Sequence, residues 1–284
     1  MNIPLLLNEI AKADPEFGER ISPRRSIIKN FSSKVALAAL PLALGGLFKK
    51  AYGKPNDVIL DTLMFILKVE HLETSFYTAG LGASGLIPNG QDRTDLTLIR
   101  DNEMHHRDFI RQTIIGLGGA PPDYSSIVLD FTGGAADGTT GDGPFNDVLT
   151  SYATFLGVAQ SFENTGVRGL KGSAGVFAGN DQLLTDALGF HSVEGRHAAH
   201  IQMMRRRNGH APAMKPWITN ADSMIPGAKG VAAQPTYDGE QNTIQATVNI
   251  AGISGISQAA ATEAFDEPIN AAQFKAIASN FIVM

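Results

Sequence analysis

From Asn56 onward, apolar residues recur every three to four positions for about 150 residues, the periodicity of long amphipathic helices. Asn56 or Asp57 can cap a first helix that carries Val58, Ile59, Leu63, Ile66, Leu67, Glu70, Thr74 and Tyr77 and ends at a turn around Gly80. Leu63, Glu70 and Tyr77 are seven apart and share a face. Residues 82–90 read as a loop with a Pro88-Asn89-Gly90 turn. A second helix runs from Asp92 or Thr94 to Leu117, with Leu96, Ile99, Glu103, His106, Ile110 and Leu117 along one stripe. Glycines at 116, 118 and 119 and the pair Pro121-Pro122 stop it. Residues 123–143, rich in Gly, Asp and Thr, exceed an ordinary helix connection and read as a crossover. Pro144 or its successor is expected to open a third helix, with Tyr152, Leu156, Ala159, Glu163, Val167 and Leu170 on one face, broken between Gly169 and Gly179. A fourth starts at Asn180 or Asp181, runs to Arg207 and closes at Asn208-Gly209. Short loop, long crossover, short loop predicts an all-α fold, a four-helix bundle with its crossover between helices 2 and 3.

Beyond Gly209 the pattern loosens. Pro212, Pro216, Pro226 and Pro235 mark a mostly irregular extension. Thr243 to Ile250 alternates as a half-buried strand would, a short helix is expected near Gln258 to Phe265, and Asn270 to Phe281 reads as a terminal helix. Three regions follow: an N-terminal segment (1–53), the bundle (56–209) and a C-terminal extension packing on it (210–284).

The polar residues interrupting the apolar stripes carry the chemistry. Glu103 and His106 form one Glu-x-x-His pair and Glu194 and His197 another; Glu70 precedes the first by 33 positions and Glu163 the second by 31. Residues three apart on a helix lie about 60° from each other, so both members of each pair can face inward. A carboxylate inside a helix bundle is costly unless neutralised, and two divalent cations would balance four of them. Such oxygen and nitrogen ligands suit iron or manganese, with zinc as a further option. One Glu-x-x-His alone is a weak signal; two on separate amphipathic helices, each with an upstream glutamate, are specific.

On these residues the stretch 56–208 resembles the ferritin-like di-metal carboxylate superfamily. Within it, Val69 to Tyr77 is similar to bacterial ferritin-like domain proteins linked to stress or desiccation. In that superfamily the first-helix ligand commonly has a tyrosine seven residues later. Glu70 with Tyr77 fits, so the resemblance assigns the ligand position to Glu70 rather than Glu73, and the others to Glu103, His106, Glu163, Glu194 and His197. It implies a di-iron or di-manganese centre reacting with peroxide, dioxygen or ferrous iron, in ferroxidase, peroxidase or manganese-catalase chemistry. A non-catalytic exported stress protein whose metals staple the bundle is the competing expectation. Tyr77 either serves the centre, donating to a ligand carboxylate or relaying an electron, or simply packs. Glu73, about 60° off the ligand stripe, is expected at the rim or behind the ligands. His71 and His105 read as surface residues, His191 as a candidate neighbour of the ligands, His200 as turned away, and Arg205 to Arg207 as complements to the helix dipole. The long tail does not suit a spherical cage; a homodimer stays open.

Composition narrows the classes. A net charge of −5 and no basic stripe argue against nucleic acid. The chain has no cysteine, which excludes disulfides, thiolate zinc sites, iron–sulfur ligation and thiol nucleophiles. Near the N-terminus, Arg24-Arg25 followed by the apolar run Val35 to Phe48 resembles a twin-arginine export signal, and Ala51-Tyr52-Gly53 offers small residues for cleavage. At about fourteen residues the run is shorter than the roughly twenty of a stable membrane span. A periplasmic or extracellular location is therefore expected, with a packed amphipathic helix in a cytoplasmic protein as the alternative.

Overall fold

The fold is built on four long helices, α1 (Asn56–Gly82), α2 (Gln91–Gly116), α3 (Tyr152–Phe177) and α4 (Asp181–Arg207). The computed structural model describes residues 56–283 apart from residue 125; the expected export signal lies outside these residues. No described helix is long and apolar enough to cross a membrane. Helices α1 and α2 pack along each other, as do α3 and α4, and the two pairs meet through α1 with α3 and α2 with α4. This is the expected bundle with its long crossover. Among the described residues the remaining α-helices are short: α5 (Gly227–Ala233), α6 (Gln258–Thr262) and α7 (Ala271–Ser279).

Local chemistry explains the ends. The Asn180 side chain accepts from the Leu183 amide and starts α4. Gly209, at φ 75, closes that helix in a conformation that favours glycine. Helix α3 begins at Tyr152 rather than near Pro144, because Ser151 caps it. The preceding residues instead form turns that bury Phe145 and Val148. Nor does α3 break at Gly169. It runs to Phe177 because its glycines are packing positions: a Cβ on Gly169 would lie 2.4 Å from the Phe274 ring, and one on Gly172 would lie 1.9 Å from the Ile269 carbonyl oxygen. Both partners belong to the C-terminal extension.

The crossover is itself folded. The buried Asp130 carboxylate accepts from the Thr132 amide and hydroxyl and from the amides of Gly134 and Gly141. The chain end pairs with it through the Leu129 and Ile282 bridge and the Asp130 N–H to Phe281 oxygen bond. The strand expected over Thr243 to Ile250 is instead a hairpin of two-residue strands, β1 (Ile244–Gln245) and β2 (Val248–Asn249). Ala246 and Thr247 between them take positive φ values of 47 and 72, so a tight turn divides the alternating run.

Apolar residues form two clusters at different levels of the bundle. The larger contains Val69, Leu72, Phe76, Ile99, Phe155, Phe162 and Ile201 together with Tyr237, Phe274 and Phe281 of the extension. The smaller contains Leu67, Ile110, Leu170 and Ala187. On each long helix the chain passes from one cluster to the other, and the inward glutamates lie between them. Phe76 stacks on Phe155 at 4.6 Å, and α1 approaches α3 closely because a Cβ on Gly80 would lie 2.2 Å from that same ring.

Candidate metal centre

All six expected ligands converge in the layer between the two apolar clusters, none more than 5% exposed. They form two overlapping groups: Glu70, Glu103, His106 and Glu194, and Glu103, Glu163, Glu194 and His197. Ligand atoms within each group lie within 4.8 Å of one another. Glu103 and Glu194, one from each Glu-x-x-His pair, belong to both.

The contacts show why. His106 Nδ1 lies 3.0 Å from Glu103 Oε2, 3.2 Å from Glu194 Oε1 and 3.4 Å from Glu70 Oε2. His197 Nδ1 lies 2.6 Å from Glu103 Oε1 and 3.3 Å from Glu163 Oε2. The two oxygens of Glu103 thus face different imidazoles. Most of these close approaches lack hydrogen-bond alignment: Glu70 Oε2, Glu103 Oε1, Glu163 Oε2, both Glu194 oxygens and His197 Nδ1 have no hydrogen-bond partner. Buried polar atoms are normally satisfied, so six orphaned atoms with lone pairs on shared space fit cations between them. The buried acidic and histidine cluster is compatible with a di-metal site.

Electrostatics without a cation are correspondingly strained. Burial alone would raise Glu103, but the adjoining His106 and His197 imidazoles bring it down to about 2. Burial would lower His197, yet the Glu163 charge and Glu103 raise it to about 11. His106 is likewise pushed well up, against burial, by Glu103, Glu194 and Glu70. Burial, partly opposed by His106, lifts Glu70 to about 7. Glu194 rises well above its ordinary range through burial and the Glu103 charge.

Surrounding residues position the expected ligands. Tyr77 donates its hydroxyl to Glu163 Oε1, crossing from α1 to α3. The side-chain nitrogen Nδ2 of Asn102 lies 3.1 Å from His197 Nε2, on the side of the ring away from the carboxylates that face Nδ1. Gly166 leaves room for Glu194, since a Cβ there would lie 2.8 Å from Glu194 Oε2. Neither Asn102 nor Gly166 stands out in sequence, because each acts across a helix pair. Glu73 is not at a rim: it is 2% exposed. His191 Nδ1 meets the Val167 carbonyl oxygen at 3.0 Å, bridging α3 and α4 rather than the ligands. His71 is half-buried against Tyr124. His200 is turned away, toward Asp95 at 2.8 Å. Arg207, at the end of α4, pairs with Asp92 and Asp95 at the start of α2, where opposite helix dipoles meet. Arg205 is instead buried, donating to Gln160 and to the Ser223 and Met224 carbonyls.

A family model for the ferritin-like domain matches residues 59–207. That is just over half of the chain, and the protein belongs to this family. No curated protein and no solved structure matches it.

Proposed function

We propose that the protein binds two iron or manganese ions in this centre and uses them to react with peroxide or dioxygen, in defence against oxidative or desiccation stress. The observation that carries this reading is the pair of overlapping ligand groups sharing Glu103 and Glu194. Glu70 and His106 would complete one metal position, Glu163 and His197 the other. Bound there, iron or manganese would supply reversible one-electron chemistry at each position. The chain's own residues fix the carboxylates, and Tyr77 holds Glu163 through its hydroxyl. Burial of every ligand favours small oxidants over traffic of hydrated ferrous ions, which must shed water to enter a dry layer. Export by a twin-arginine route belongs to the same reading and places the protein in the periplasm or outside the cell.

Metal analysis of protein purified from its native compartment, followed by peroxide disproportionation and ferrous oxidation assays, tests the proposal. About two iron or manganese ions per chain with peroxide or dioxygen turnover is the expected result. Bound metal inert toward both oxidants would favour the structural alternative.

Metal loading should also depend on pH. His106 and His197 are raised, so their protonated forms stabilise the metal-free fold fully below the ordinary 6.5; for His197 this is lost as pH rises through about 11. Cations must displace those protons and any on Glu70, which is raised to about 7. Affinity should therefore rise from about pH 6 to pH 9, with proton release seen as a buffer-dependent calorimetric enthalpy. Affinity flat across that range would contradict this protonation scheme.

A further inference from the structure

Among the described residues, Glu73 is the one acid in this layer that neither group of expected ligands includes. It stands one turn beyond Glu70 on α1, is 2% exposed, and its Oε1 has no hydrogen-bond partner. Among the described residues no Lys, Arg or His forms an ion pair with it. The charges that act on it are the acids of the centre themselves: after burial, Glu194, Glu70, Glu103 and Glu163 raise its pKa well above the ordinary range. A carboxyl so placed is a poor core residue, since leucine would fill the space without an orphaned oxygen.

The two halves of the bundle show that the position is particular. Glu70 corresponds to Glu163, Glu103 to Glu194 and His106 to His197. The residue corresponding to Glu73 is Gly166, where a Cβ would crowd Glu194 Oε2 at 2.8 Å. The residue corresponding to Tyr77 is Leu170. The centre is thus asymmetric, with α1 alone supplying an additional acid.

We propose that Glu73 is a reserve carboxylate of the centre that lets it hold more positive charge than two divalent ions carry, and so determines which metal charge state the site accepts. Four ligand glutamates balance two divalent cations; a fifth balances the extra charge when one cation is trivalent. The inference rests on reading the cluster as a di-metal centre.

The test is titration of the full-length protein with zinc(II) and, from citrate, with gallium(III), a trivalent ion that does not change oxidation state. Glu73→Gln keeps the shape and removes the charge. It should hold zinc within about threefold of the unaltered protein and lose at least about tenfold in gallium affinity. Glu73→Asp, which retains the charge but withdraws it by one methylene, should lose less and serves as a second variant should the glutamine form unfold. Gallium affinity unchanged in Glu73→Gln, or zinc and gallium weakened alike, would overturn the role of Glu73. If the unaltered protein binds zinc no better than Glu103→Ala, the reading of the centre fails instead.

Discussion

Glu103→Ala is expected to empty both metal positions at once, whereas Glu70→Ala leaves one filled. Glu103 sends Oε2 toward His106 and Oε1 toward His197, and it belongs to both ligand groups; Glu70 belongs to one. Elemental analysis after loading should therefore give close to no metal per chain for the first variant and about one for the second. The metal-free fold should suffer as well. Glu103 is the carboxylate nearest both imidazoles, and removing one partner of a buried ion pair typically costs about 3 to 5 kcal/mol. Release of protons from the imidazoles would return part of this, so a loss of about 3 kcal/mol is expected in denaturant unfolding of metal-free protein. A Glu103→Ala protein that retains one metal per chain would show that the carboxylate does not bridge, and the two-position arrangement would have to be redrawn.

The six converging residues were legible because their chemistry repeats: a carboxylate or imidazole within an apolar helical stripe is conspicuous, and four such helices have few ways to bury it. What was hidden acts between elements. An angular offset of about 60° implies a rim position only if that flank of the helix is open, and around Glu73 it is closed. Gly169 and Gly172 read as helix breakers because their partners, Phe274 and Ile269, come about a hundred residues later. Arg205, read as a complement to the helix dipole, is buried against the extension, and so is Arg168. The division of Thr243 to Ile250 into a hairpin depends on positive φ at Ala246 and Thr247, residue types that do not advertise such a turn.

The largest stability effect is expected from Arg168→Ala. Arg168 is 1% exposed on α3 and reaches into the extension, pairing with Glu240 at 2.7 Å. It also donates to the carbonyl oxygens of Thr236, Asp238 and Glu267. Glu240, also 1% exposed, in turn accepts from the Glu267 amide at 2.8 Å. One guanidinium thus gathers four acceptors from two separated stretches of the extension. Burial lifts Glu240 to about 7 and the Arg168 charge opposes it, so the acid depends on that neighbour to stay ionised. Alanine leaves Glu240 and three carbonyls without their partner, and a loss of about 3 to 5 kcal/mol follows. Replacing both charges, Arg168→Met with Glu240→Leu, should recover much of this because no buried charge remains, but not all, since the carbonyls still lack a donor. Denaturant unfolding of the two variants, with amide exchange over residues 234–269, measures both parts. A loss below about 1 kcal/mol for Arg168→Ala would mean that apolar contacts alone, such as Phe274 against Gly169, hold the extension to α3. A large loss with faster exchange confined to those residues would make the extension a structural part of the bundle, joined to it five residues beyond Glu163.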